Sequence, residues 1–212
     1  MRKKSLKKQE KFCQDIDPRP FLAYNRGMIK KPQTKGGWVR LILQILLSIA
    51  CVLMLAFIFF NSLKSAEQSI EQSSHAVEIV QDFVAVFDPD SPIVTATGEA
   101  YDLLHEIVRT IAHFAEFGLL GVLLGWCLLS YTTRKKYLLI PLGGVLLVPF
   151  MDECLQLFSA GRGLQVSDIL LDIGGGVMGL GFAILTVWFG IWLYNRRLQK
   201  KKKGEQNGQR ES

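Results

Sequence analysis

Cysteine and histidine are scarce in this chain. Its four cysteines, Cys13, Cys51, Cys127 and Cys154, stand far apart, and its three histidines are His75, His105 and His113. No established ligand spacing such as H-E-x-x-H is present, so neither a disulfide framework nor a thiolate metal site is expected, and no cofactor is called for. No internal repeat is evident, which weighs against repeat-built transporter folds. The run after the first apolar stretch, Asn61-Ser62-Leu63-Lys64-Ser65-Ala66, lacks a small-x-small cleavage site, and a long region precedes that stretch. It reads as a retained anchor, not a signal peptide. Basic residues are missing from most of the chain. Outside a turn at 132–136, the stretch 41–195 holds only Lys64, Arg109 and Arg162.

Apolar residues dominate instead. They make up 49% of the 212 residues, and the mean hydropathy is +0.22, which implies more hydrophobic surface than water can cover. Apolar runs at 38–63, 107–131, 137–158 and 169–194 are each near or above the roughly 20 residues that a helix needs to cross a bilayer. The expected fold class is therefore an all-α integral membrane protein with four transmembrane helices. Lysine and arginine set its orientation, because cytoplasmic flanks keep positive charge. The segment up to Arg40, the turn at 132–136 and the end after Asn195 hold 22 of the 25 basic residues. Both termini are expected in the cytoplasm. The loop at 64–106, rich in Glu and Asp, is then expected outside.

Three segments follow: a basic tail at 1–37, a four-helix membrane domain at 38–195 and a second basic tail at 196–212. The tails are polar and fit solvated segments lying against anionic headgroups; no nucleic-acid partner is expected. Within the outer loop, Ile70, Val77, Val80, Val84 and Phe87 recur at helical spacing among Glu, Gln and Ser. This pattern predicts an amphipathic helix between 62 and 87, ended by Asp88-Pro89-Asp90-Ser91-Pro92.

Nine polar side chains interrupt the last three apolar runs or the loop between two of them: Arg109, His113, Glu116, Asp152, Glu153, Gln156, Arg162, Asp168 and Asp172. Charge in a bilayer is costly and by default functional. In the predicted topology His113 lies about 27 Å from the inner end of its helix and Asp152 about 22 Å from the start of the next, at 1.5 Å per residue. Asp168 and Asp172 fall at the outer end of the fourth helix, with Asp168 a candidate N-cap. Three helices thus deliver polar groups to one outer depth. Arg109, His113 and Glu116 share one helical stripe, and Asp152 shares a face with Gln156. Five acids face two permanent cations and one histidine, an imbalance that favours a wet cleft or a ligand site over a dry ion-paired lock. Glycines at 174, 175, 176, 179 and 181, with Gly118, Gly121 and Gly125, predict close packing of the second and fourth helices. Pro141 and Pro149 are possible kink points in the third.

These residues resemble a known family. Arg109 to Phe117 reads R-x-x-A-H-F-x-E-F, Asp152 to Phe158 reads D-E-x-x-Q-x-F, Gly161-Arg162 follows, and Asp168 to Gly175 reads D-I-x-x-D-x-x-G. The four segments, in this order, resemble the signature of VanZ-like proteins across about residues 38–195. Ala160 stands where many members carry Pro, and Asp172 where Asn is frequent. The resemblance implies a multi-pass protein of the cytoplasmic membrane of a Gram-positive bacterium, of a type linked to low-level resistance to the glycopeptide antibiotic teicoplanin. It supplies no known reaction.

Three function classes stay open. The first is a binding module whose outward polar cleft recognises a lipid-linked cell-envelope headgroup or a glycopeptide, with Arg109 and Arg162 contacting its anion. The second is an enzyme acting on an envelope lipid or cell-wall intermediate, with His113, Glu116 or Asp152 as acid/base candidates. The third is an ion-paired structural cluster or a transporter.

Overall fold

The computed structural model describes residues 35–210, with side chains placed for residues 37–200. The expected tail at 1–37 lies almost wholly outside the described residues. The elements in chain order are α1 (Lys35–Ser62), α2 (Ala66–Ala85), α3 (Glu99–Tyr131), a 3-10 turn (Lys135–Leu138), α4 (Leu139–Gln156) and α5 (Val166–Arg210). Among the described residues there is no strand. Four helical stretches, Gly37–Ser62, Glu99–Tyr131, Lys135–Gln156 and Val166–Lys200, are long and apolar enough to cross a membrane. Large apolar side chains such as Leu53, Phe60, Leu147, Leu170 and Trp188 stand exposed on them, as a lipid-facing surface requires. The chain is a multi-pass membrane protein.

Several boundaries differ from those expected. The helix expected between 62 and 87 is shorter, Ala66–Ala85: α1 ends at Ser62, and α2 starts anew behind Ser65. Ser65 and Gln68 form a reciprocal capping box, satisfying backbone N–H groups that a helix start leaves without partners. The α3 helix begins eight residues before its apolar run, with Glu99 and Asp102 in the first turn, where carboxylates are favoured. The α5 backbone stays helical to Arg210, through the polar end expected to be a tail. Pro141 falls in the first turn of α4, where its missing N–H has no helical partner to lose; only Pro149 stands inside the helix.

Glycine fixes the arrangement of α3 and α5, the most closely joined pair in the bundle. A Cβ on Gly121 would overlap the Gly176 carbonyl, one on Gly175 the Phe114 carbonyl, and one on Gly179 the Gly118 carbonyl. Backbones approach this closely only where side chains are absent. The expectation is corrected at two positions: Gly174 meets only ordinary contact with Phe114, and Gly181 faces open space.

The small apolar core consists of Ile58 from α1, Phe117 and Leu120 from α3 and Val148 from α4. Each lies four residues from a polar position: Ile58 from Ser62, Phe117 from His113, Leu120 from Glu116 and Val148 from Asp152. Residues four apart share a helix face, so the contacts that pack the core also aim the polar groups at one another a turn further along. At the other end of the bundle, Arg40 and Gln44 of α1 donate to the Ser130 carbonyl at 2.9 and 2.8 Å. That carbonyl is one of those that the end of α3 leaves without a helical partner.

Candidate functional site

The polar ends of α1, α3, α4 and α5 meet beneath the 157–165 loop, and α2 lies alongside α3. The loop is tied down at three points. Ser159 Oγ donates to the Ser62 carbonyl at 2.8 Å, the Ala66 N–H donates to the Ala160 carbonyl at 3.0 Å, and Arg162 Nη2 donates to Ser69 Oγ at 2.6 Å. Gly161 supports this path with a φ of 76°, a left-handed conformation that suits glycine.

The nine residues fall into two layers. Arg109, His113, Glu116, Gln156, Arg162 and Asp168 line two adjoining cavities of about 290 and 130 Å³. Asp152, Glu153 and Asp172 line neither and are buried, at 2, 2 and 3% exposure. Asp152 accepts from Ser62 Oγ and, at 2.9 Å, from Gln156 Nε2. Glu153 accepts the backbone N–H of Gln165 at the start of α5. Asp168 is therefore not the N-cap of that helix. The helix begins at Val166, three residues earlier than expected, and Asp168 sits in its first turn. Asp172 lies within electrostatic reach of Asp152, Asp168, Glu153 and Glu116, yet its Oδ1 is buried without a hydrogen-bond partner among the described residues.

The cations are not locked onto these acids. Among the described residues no carboxylate lies within 4.0 Å of the Arg109 or Arg162 guanidinium; the ion pair that does form is His75 with Glu78, at 3.3 Å on α2. Arg162 Nη1 is buried and without a hydrogen-bond partner. Burial first, and the neighbouring Arg109 charge second, hold Arg162 below the ordinary arginine value, while Asp152, Glu153 and Asp168 act in the opposite direction. Among the described residues no group of three or more His, Cys, Asp or Glu is arranged to hold a metal ion.

Sequence reading missed the contribution of α1 and α2. Ser62 completes the Asp152 network, while Ser69, Gln72, Ser73 and Ala76 form a wall of the larger cavity. The spacing of Ser69, Ser73 and Ala76, i, i+4 and i+7, was the available signal: a stripe of small residues on α2 beside its apolar one.

The VanZ/LLP1 family model matches residues 47–190, which include every residue of both layers. The chain belongs to the VanZ/LLP1 family. No curated protein and no solved structure matches it. The VanZ/LLP1 match runs from within α1 through α4 into α5, so it includes part of every membrane helix and all the residues that line the two cavities.

Proposed function

We propose that this VanZ/LLP1 protein resides in a bacterial cytoplasmic membrane with both termini inside, and that its polar cleft faces outward to recognise a lipid-linked cell-envelope headgroup or a glycopeptide. In a Gram-positive host this would lower susceptibility to teicoplanin. The orientation rests on the distribution of lysine and arginine, with 22 of 25 on the proposed cytoplasmic side. The same orientation puts α2 outside as an amphipathic helix beside the cleft.

One observation carries the binding reading. Arg109, His113 and Arg162 line the cavities without a carboxylate within ion-pair distance of either guanidinium. Guanidinium geometry suits the planar, bidentate recognition of phosphate or carboxylate, and an unpaired guanidinium at a cavity wall is a donor awaiting an acceptor. The buried acids beneath supply the field that keeps two cations close together in a poorly solvated site. A second reading, an enzyme acting on an envelope lipid, draws on His113 and Glu116 lining the same cavity, as an acid/base pair requires.

The test is purification of the full chain in lipid nanodiscs, followed by mass spectrometry of the species that accompany it. A stoichiometric anionic species present with the natural protein and lost from the Arg109→Ala/Arg162→Ala variant is expected. An unchanged lipid profile in that variant would remove the binding reading. Conversion of a bound lipid during incubation, dependent on His113, would favour the enzyme.

A further inference from the structure

We infer that the ligand is an amphiphile, with a phosphate-type anion held between Arg109 and Arg162 and an apolar chain leaving through the groove between α2 and α3. This rests on the binding reading above and narrows it to one chemical class.

The argument starts from how the two cavities join. They share four residues, Ser69, Arg109, His113 and Arg162, and this shared wall carries cations and a hydroxyl but no carboxylate. Away from it their characters diverge. The smaller cavity continues among Gln156, Gln165 and Asp168, which suit hydroxyl and amide groups of a polar head. The larger has polar lining of its own, Glu116 included, but between Ala76 and Ile79 of α2 and Val108 and Ala112 of α3 it offers hydrocarbon. The Arg162–Ser69 hydrogen bond of 2.6 Å stands at the junction. A free anion would use the shared wall and leave the apolar groove unexplained. An uncharged lipid would fill the groove and leave Arg162 Nη1 without an acceptor.

The groove also has an exit. Ile79 on its rim is 69% exposed, and Phe83, one turn further along α2, is exposed as well. A chain leaving past Ile79 and Phe83, one turn apart on α2, meets exposed apolar side chains on its way to lipid. Recognition of this kind reads the head by charge and tolerates variety in the chain, because the groove provides area and no directional contacts.

The experiment is native mass spectrometry of the detergent-purified full chain with four probes: oleoyl lysophosphatidate, mono-olein, inorganic phosphate and teicoplanin. Lysophosphatidate should be retained about tenfold more tightly than mono-olein, the difference one charge-assisted contact supplies, and at least about tenfold more tightly than phosphate, the difference that burial of roughly two methylenes supplies. Arg109→Ala and Arg162→Ala should each remove about that factor for lysophosphatidate and leave mono-olein unchanged. Ile79→Asp, at an exposed position that the fold does not need, should weaken lysophosphatidate and spare phosphate. Mono-olein or phosphate binding within about twofold of lysophosphatidate would overturn the amphiphile inference. Arginine-dependent retention of phosphate or teicoplanin alone would also overturn it while leaving the cleft reading intact. No arginine-dependent retention of any probe would overturn both.

Discussion

Replacing Arg162 by alanine distinguishes a ligand contact from a structural lock, and the structure gives the size of each effect. The side chain makes one hydrogen bond to the protein, to Ser69 Oγ at 2.6 Å. A charged donor in such a bond contributes about 1.5–3 kcal/mol. Its Nη1 is buried without a partner, and removing a group in that state relieves about 1–3 kcal/mol. The two terms nearly cancel, so Arg162→Ala should change stability by about 1 kcal/mol or less, a melting shift of about 2–4 °C for a chain of this size. If Arg162 instead held the acid cluster together, its loss would leave buried carboxylates unpaired at about 3–5 kcal/mol, or roughly 6–20 °C. The assay pairs membrane-fraction abundance and thermal unfolding by tryptophan fluorescence with teicoplanin susceptibility. Normal abundance, a small melting shift and loss of any resistance phenotype are expected. Disappearance from the membrane, or a melting drop beyond about 6 °C, would refute the reasoning and restore the lock.

Three further outcomes follow from the same geometry. In a background freed of native cysteine, Ser73→Cys should react with an impermeant maleimide added to intact cells and Thr133→Cys should not; the reverse pattern would invert the topology. Gly179→Ala should cost about 1–3 kcal/mol in thermal unfolding because its Cβ would overlap the Gly118 carbonyl, whereas Gly181→Ala, facing open space, should stay within about 0.5 kcal/mol. Equal effects at the two positions would contradict the described α3–α5 packing. Asp172→Asn should leave the melting temperature unchanged or slightly raised, since the amide keeps the shape of a buried group whose Oδ1 has no hydrogen-bond partner and cannot be repelled by its four neighbouring carboxylates; a lower melting temperature would show that the carboxyl makes a contact the amide cannot.

The membrane helices were legible because a span needs a long apolar run, and polar residues inside such a run have to face one another. Hence Arg109, His113, Gln156 and Asp168, from three different helices, could be placed together from sequence alone. Two kinds of feature were not legible. Helix starts depend on local hydrogen bonds: the Ser65–Gln68 box splits α1 from α2, and Glu153 takes the Gln165 N–H, displacing Asp168 from the cap position. The separation of the site into a cavity-lining layer and a buried layer depends on helix rotation in three dimensions. Periodicity fixes which residues share a face, but it leaves open which face meets a cavity. The glycines show the same limit, because Gly179 and Gly181 are equivalent in composition and only packing distinguishes them.

The central claim is a polar cleft, reachable by water from outside, on the wall that the two cavities share. Ser69→Cys in a cysteine-free background tests it most directly, because Ser69 of α2 lines both cavities, while Leu119 of α3 is exposed on the apolar surface. An impermeant maleimide added to intact cells should label Ser69→Cys and leave Leu119→Cys unlabelled, since thiol alkylation requires thiolate and water. Labelling of Ser69→Cys only after the cells are opened, or not at all, would contradict the account.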